Sequence, residues 1–147
     1  MALQFPDKTP LFSYTHKLRS RYGETDQMGY VYHGRFLEYF EVARTEMIRS
    51  AGVTYRELEA SGVMLPVIDA QLEFKVPVEY DEEMEIRVLL FDQPGVRLIT
   101  YYQVYTPRFE QPNVRGRVTL CFMDSEHRRP IRAPEAFMKQ FVRGLSE

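Results

Sequence analysis

The stretch from Phe12 to Tyr22 alternates so regularly in polarity that few local structures can accommodate it. Phe12, Tyr14, His16, Leu18 and Tyr22 hold even positions, with Ser13, Thr15, Lys17, Arg19 and Arg21 between them. A period of two sends successive side chains to opposite faces of an extended strand, so one face is apolar and the other polar. The same period returns at Met64, Ile68, Ala70, Leu72, Phe74 and Val76, then at Met84, Ile86, Val88 and Leu90. It recurs at Val96, Leu98, Tyr102 and Val104, and last at Val114, Val118, Leu120 and Phe122. Five strands with one apolar face each predict an antiparallel sheet covered on one side. Pro94-Gly95 predicts a hairpin between the third and fourth strands, and Pro107 and Pro112 bracket the loop before the fifth.

The cover is supplied by a second pattern, between the first two strands. From Gly34 to Ala51, Phe36, Phe40, Ala43, Met47 and Ala51 fall in one narrow arc of a helix, which Leu37 and Ile48 widen. Gly52 stops it. A short helical turn over Thr54 to Ala60 starts with Thr54 as N-cap and Glu57 at capping-box spacing, and Ala133 to Gly144 predicts a terminal helix with Pro134 in its first turn. The order strand, helix, four strands predicts an α+β fold with a sheet wrapped round one long helix. Residues 1–147 read as one domain, since no repeat, linker or low-complexity run divides them.

Composition removes several function classes. A net charge of −2 offers no electrostatic footprint for nucleic acid. Cys121 is the only cysteine, so no internal disulfide forms, and its place in a strand makes it a small buried apolar residue. The opening MALQFPDKTPLF lacks a basic start and an apolar run, and no window reaches the roughly 18 apolar residues of a membrane span. The expectation is a cytoplasmic chain with no membrane span.

One junction carries more chemistry than a connector needs. Residues 22–34, YGETDQMGYVYHG, lie between the first strand and the long helix. Acids before a helix commonly cap it, but Asp26 is too far ahead of the apolar stripe, and neither Tyr32 nor His33 is a preferred cap. The first N–H groups of the helix are therefore left open, a setting that suits an anion or a developing oxyanion. Gly29 and Gly34 permit close approach of the backbone. A carboxylate looped back to such a helix start makes an acyl-transfer site, with Asp26 attacking a carbonyl or deprotonating water. Glu24 and Asp26 lack the further ligands of a metal centre, so neither metal nor cofactor is expected. No phosphate-cradling glycine motif and no Gly-x-Ser-x-Gly elbow is present. His16 reads as a packed core residue and His127, beside Arg128 and Arg129, as solvated. Arg44 falls inside the apolar arc with Glu41 three residues earlier, which predicts an ion pair, or a Glu41 that faces the cavity near Asp26 and helps place water.

The stretch RYGETDQMGYVYHGRFLEYFEVARTEMIRSAG resembles the signature of hotdog-fold acyl-CoA thioesterases, of the 4-hydroxybenzoyl-CoA thioesterase group and its Tol-Pal-associated branch. The matching residues are Glu24, Asp26, Gly29, Val31, Tyr32, His33 and Phe36, then Glu41, Ala43, Arg44, Thr45 and Glu46. The resemblance implies that Asp26 is the catalytic carboxylate, nucleophile or general base. It implies that the His33 N–H is an oxyanion donor and that the His33 side chain orients water or substrate. Tyr32, Gly29 and Glu41 would support them, Glu24 would be structural, and Tyr30 would reshape the acyl pocket. It also implies a homodimer joined edge to edge through its sheets, or a homotetramer, with the site at the subunit interface. Arg128, Arg129 and Arg132 are candidates for the coenzyme A phosphates. The alternatives are an acyl-acyl carrier protein thioesterase and a non-catalytic acyl-CoA-binding module.

Overall fold

The computed structural model describes residues 2–139. Its elements run β1 (Phe12–Arg19), a 3₁₀ turn (Tyr22–Glu24), α1 (Arg35–Ser50), α2 (Tyr55–Ala60), β2 (Val63–Met64), β3 (Val67–Phe74), β4 (Glu83–Leu90), β5 (Arg97–Tyr105), β6 (Val114–Cys121) and β7 (Met123–Asp124). Five strands form one antiparallel sheet in the order β1-β4-β5-β6-β3, and β2 pairs with β7 beside it. The expected second strand is divided. Pro66 lacks an N–H to give a ladder, so Met64 joins β2 while β3 begins at Val67.

The alternation holds in the middle of the sheet. Met84, Ile86, Val88 and Leu90 of β4 are buried, as are Leu98, Tyr102 and Val104 of β5 and Val118 and Leu120 of β6. His16 is half-buried on the same face, and Cys121 is buried. Across this face runs α1, with Phe36, Phe40, Ala43, Met47 and Ile48 buried. Phe40 stacks on Tyr102 with ring centroids 4.2 Å apart. A Cβ at Gly116 would come 2.4 Å from the Phe40 ring, so the close approach of α1 to β6 requires glycine there. The Thr54 cap forms as expected, its hydroxyl accepting the Glu57 N–H at 3.1 Å. Residues 135–139 are helical with Phe137 buried, and residues 140–144 of the expected terminal helix lie outside the described residues.

Two expectations are corrected. Leu37 does not widen the buried stripe but is 44% exposed, turned about 100° round the helix from Phe36, which is buried; Tyr39 and Arg44 are buried instead. The apolar face of β3 is only partly covered: Leu72 packs against the core, but Ile68 is 50% and Phe74 53% exposed. β3 is an outer strand of the sheet, paired only with β6, whereas α1 packs over β1 and β4 at the opposite edge.

Candidate active site

The junction between β1 and α1 folds as two consecutive turns, each built round one of its acids. In the first, Glu24 accepts the Arg21 N–H at 2.8 Å and the Arg21 guanidinium at 3.3 Å. Its side chain is buried, and it lines a cavity with Tyr39, Leu18 and Val42. Burial alone would raise the Glu24 pKa, but the Arg21 N–H, the neighbouring Tyr39 hydroxyl and the Arg21 charge outweigh it and hold the carboxyl below the usual range. Glu24 is thereby engaged in shaping the loop.

In the second turn the Asp26 N–H donates to the Tyr30 carbonyl at 2.8 Å, and the Gly29 N–H donates to the Asp26 carbonyl at 3.0 Å. Gly29 has φ +81°, a left-handed conformation that favours glycine. Asp26 Oδ1 accepts the Met28 N–H at 2.9 Å and the Tyr30 N–H at 3.4 Å, while Oδ2 accepts none from the described residues. The loop is pinned to residues 78–80 by the Val31 N–H on the Val78 carbonyl and the Tyr80 N–H on the Gly29 carbonyl, at 2.7 and 3.2 Å. One carboxylate oxygen is thus fixed and the other is left unengaged by the described residues.

The helix starts without a side-chain cap. Gly34 is the N-cap residue, and α1 begins at Arg35, one residue later than its periodicity suggests. The N–H groups of Arg35 and Phe36 turn back to the carbonyls of Tyr32 and His33, at 2.9 and 3.3 Å. Those of His33 and Gly34 have no hydrogen-bond partner among the described residues. A side chain at Gly34 would meet the Tyr32 ring 2.8 Å away. Tyr32 is half-exposed and leans on the His33 imidazole, their centroids 4.3 Å apart.

Asp26 and His33 line one cavity of about 350 Å³ whose apolar walls include Phe36, Phe74, Val78 and Val114. Phe74 lies edge-on to both His33 and Phe36, at 6.1 and 5.9 Å between centroids. Tyr30 also lines the cavity. Lys75 adds a cation that sequence reasoning overlooked. Its only signal was its place at the end of β3, which the topology brings beside the helix start. The arrangement can hold an acyl group against apolar walls, with the Asp26 carboxylate and His33, just ahead of the uncapped helix start, in the lining.

Other candidates are placed elsewhere. Glu41 does not line this cavity and makes no ion pair with Arg44; both face a second cavity, with Tyr55 and Val67. Arg44 instead donates from Nε to the Tyr55 hydroxyl at 2.9 Å and from Nη1 to the Tyr102 hydroxyl at 3.0 Å. An i,i+3 spacing brings two side chains within reach, but Arg44 points inward to the sheet and Glu41 outward to solvent. Arg128, Arg129 and Arg132 are exposed on and after the β7 turn, and none lines the Asp26 cavity. His127 is exposed there, 2.8 Å from Asp124.

Comparison with known proteins identifies the family and the fold. Residues 20–141 match the Thioesterase-like superfamily. Bacillus subtilis YneP, whose name provisionally describes an acyl-CoA thioesterase, is 34% identical over 121 residues, 82% of this chain and 87% of that protein. The Escherichia coli acyl-CoA thioester hydrolase YbgC is 26% identical over 124 residues, 84% of this chain and 92% of its own. The crystal structure of a DHNA-CoA thioesterase from Staphylococcus aureus superposes with a TM-score of 0.83 at 25% identity, covering 91% of each chain. A five-stranded antiparallel sheet on one long helix, matched in structure over nine-tenths of its length and in sequence from residue 20 to 141, makes this chain a hotdog-fold member of the Thioesterase-like superfamily.

Proposed function

We propose that the chain hydrolyses acyl-CoA thioesters to a carboxylic acid and coenzyme A, with chemistry centred on Asp26. The observation that carries the reading is the pairing, in one apolar-walled cavity, of Asp26, one of whose oxygens accepts no hydrogen bond from the described residues, with His33, whose N–H, like that of the next residue Gly34, has no partner among them. The thioester carbonyl oxygen accepts from the His33 and Gly34 N–H groups, which stabilise the negative charge that develops on it. Asp26 either takes a proton from the attacking water or attacks the carbonyl carbon itself, giving an anhydride that water then opens. In both cases the C–S bond breaks and the thiolate leaves, to be protonated as free coenzyme A. The His33 imidazole orients water or substrate, Tyr32 and Gly29 hold the loop, and Lys75 meets a coenzyme A phosphate at the cavity mouth.

Asp26→Asn tests the reading. It keeps the shape of the turn but removes the charge, and is expected to leave the far-UV spectrum and melting temperature near wild type. Thiol release from a panel of short, long and aromatic acyl-CoAs should fall at least about a hundredfold. An unchanged rate removes Asp26 from the mechanism. Absence of thiol release by the wild-type chain, with saturable acyl-CoA binding, converts the protein to a binding module. A strong preference for matched acyl-carrier-protein thioesters would reassign the carrier.

The working unit is a homodimer joined through β3. β3 is an eight-residue edge strand with a neighbour, β6, on one side only, and exposed long edges are rare in proteins that act as monomers. Antiparallel pairing of two copies centred on Gln71 sets Ala70 beside the partner subunit's Leu72. It also sets Asp69 beside the partner subunit's Glu73, and each acid is already met within its own chain, Asp69 by Arg117 at 3.9 Å and Glu73 by Arg115 at 3.1 Å. The Asp26 cavity, lined by Phe74 at the end of β3, then lies at the interface. Sedimentation should give a dimer that Ala70→Pro converts to monomer; a wild-type monomer at micromolar concentration overturns the pairing.

A further inference from the structure

Between β3 and β4 the chain runs along the Asp26 cavity without joining the five-stranded sheet. Lys75, Val76, Pro77 and Val78 all line that cavity, yet β3 ends at Phe74 and β4 begins at Glu83. Backbone groups outside a ladder still need partners, and a single residue meets those of three consecutive positions. The Asn113 carbonyl accepts the Lys75 N–H at 2.9 Å and the Val76 N–H at 3.1 Å. The Asn113 side-chain amide donates to the Pro77 carbonyl at 3.3 Å. Asn113 is itself tied to β5, its N–H donating to the Val104 carbonyl at 2.7 Å. Because a carbonyl only accepts, the amide NH₂ must face Pro77 and Oδ1 must face away. There Oδ1 accepts the Thr106 hydroxyl at 3.0 Å. Asn113 is 0% and Thr106 4% exposed. A buried amide is costly unless it is bonded, so filling space does not account for this one.

The line of contacts continues into the loop that carries Asp26. Val78, next after Pro77, accepts the Val31 N–H on its carbonyl at 2.7 Å, and Val31 lies two residues before His33. We propose that Asn113 is a positioning residue for thioester hydrolysis: its side-chain amide fixes Pro77, so that the Val78 carbonyl holds the Asp26 loop and the His33 N–H in register. This inference rests on the roles proposed above for Asp26 and His33. It also divides the labour within one residue. The Asn113 backbone places Lys75 and Val76, and a substitution leaves that contact intact; only the side chain governs Pro77. Removing the side-chain donor should therefore lower kcat and spare KM, because small misplacements of reacting groups are felt in the chemical step.

The experiment is steady-state hydrolysis of acyl-CoAs by the full chain and its variants, scaled to the folded fraction. Asn113→Asp keeps the size and the acceptor for Thr106 but turns a carboxylate oxygen toward the Pro77 carbonyl. At about pH 8 its kcat should fall at least about tenfold, with KM within about twofold of wild type. Burial raises the pKa of such an acid, and once protonated it donates again, so its kcat relative to wild type should climb as the pH is lowered to about 5.5. Thr106→Val removes the hydroxyl that orients the amide; it should lower kcat a few-fold and decides the matter if Asn113→Asp does not fold. Val88→Ala, a destabilising core change on β4, should leave kcat per folded molecule at the wild-type value. Nuclear magnetic resonance reads the geometry directly: at matched pH the His33 backbone amide signal should move in Asn113→Asp and Thr106→Val and stay in place in Val88→Ala. The proposal is overturned if a folded Asn113 or Thr106 variant keeps wild-type kcat, if its loss is in KM alone, or if the Asn113→Asp ratio is flat with pH. It is equally overturned if Val88→Ala loses as much. Should the wild-type chain release no thiol, the hydrolytic reading falls and takes this inference with it. Should it release thiol while the His33 amide is unmoved in both variants, only this inference falls.

Discussion

Glu24 and Asp26 are two carboxylates separated by one residue, and the fold gives them opposite employment. Glu24 is turned inward, 7% exposed, with an N–H and a guanidinium on its oxygens. Asp26 is turned toward the cavity that holds His33, with one oxygen fixed by the backbone and the other unengaged. A carboxylate whose hydrogen-bonding capacity is consumed stabilises a conformation, and one with an unengaged oxygen can react. On the proposed mechanism these two acids divide structure from chemistry, and that division can be broken experimentally.

The largest effect should separate them most clearly. Asp26→Asn is expected to lower thioester turnover about a hundredfold, equivalent to about 2.7 kcal/mol of transition-state stabilisation, with little change in unfolding midpoint. Glu24→Ala should behave the other way. It strands the Arg21 N–H and empties part of the cavity shared with Tyr39, so chemical denaturation should reveal a loss of about 1–3 kcal/mol. The residual folded enzyme should retain turnover within a few-fold of wild type. If instead Glu24→Ala abolished turnover at unchanged stability, the assignment of roles would be reversed.

How far the sequence foretold this division depends on what each kind of pattern encodes. Alternation located β1, β4, β5 and β6, and the helical stripe located α1, because periodicity states which residues share a face. It does not state whether anything covers that face. Ile68 and Phe74 alternate as cleanly as Ile86 and Val88, yet β3 lies at the sheet edge and leaves them exposed. The turn chemistry of residues 26–30 was legible from Gly29, whose positive φ the structure requires. Arg44 and Glu41 were misread as a pair, because an i,i+3 spacing is local whereas the partners of Arg44, Tyr55 and Tyr102, come from elsewhere in the chain. Lys75 was overlooked for the same reason: only the tertiary arrangement places the end of β3 beside the start of α1.

The smallest effect sharpens the comparison through pH. Glu24 has its folded-state pKa held below the ordinary glutamate value of 4.5. Its ionised form is therefore favoured by the fold, and the stability it contributes is fully present above the unfolded-state pKa. That stability is lost as pH falls through the folded value. Glu82, bonded to Arg108, and Asp124, bonded to His127, are depressed in the same direction, so the wild-type chain should lose stability on the acid side. Glu24→Gln isolates one contribution, since it keeps an acceptor for the Arg21 N–H and removes only the charge. Its stability deficit in urea should be measurable at pH 7 and should shrink toward zero near about pH 3, where the wild-type carboxyl is also neutral. A deficit that stayed constant over that range would show that the amide disturbs packing round Tyr39. In that event the stabilising role of Glu24 would rest on its shape, and its charge would matter no more to the fold than that of an exposed acid.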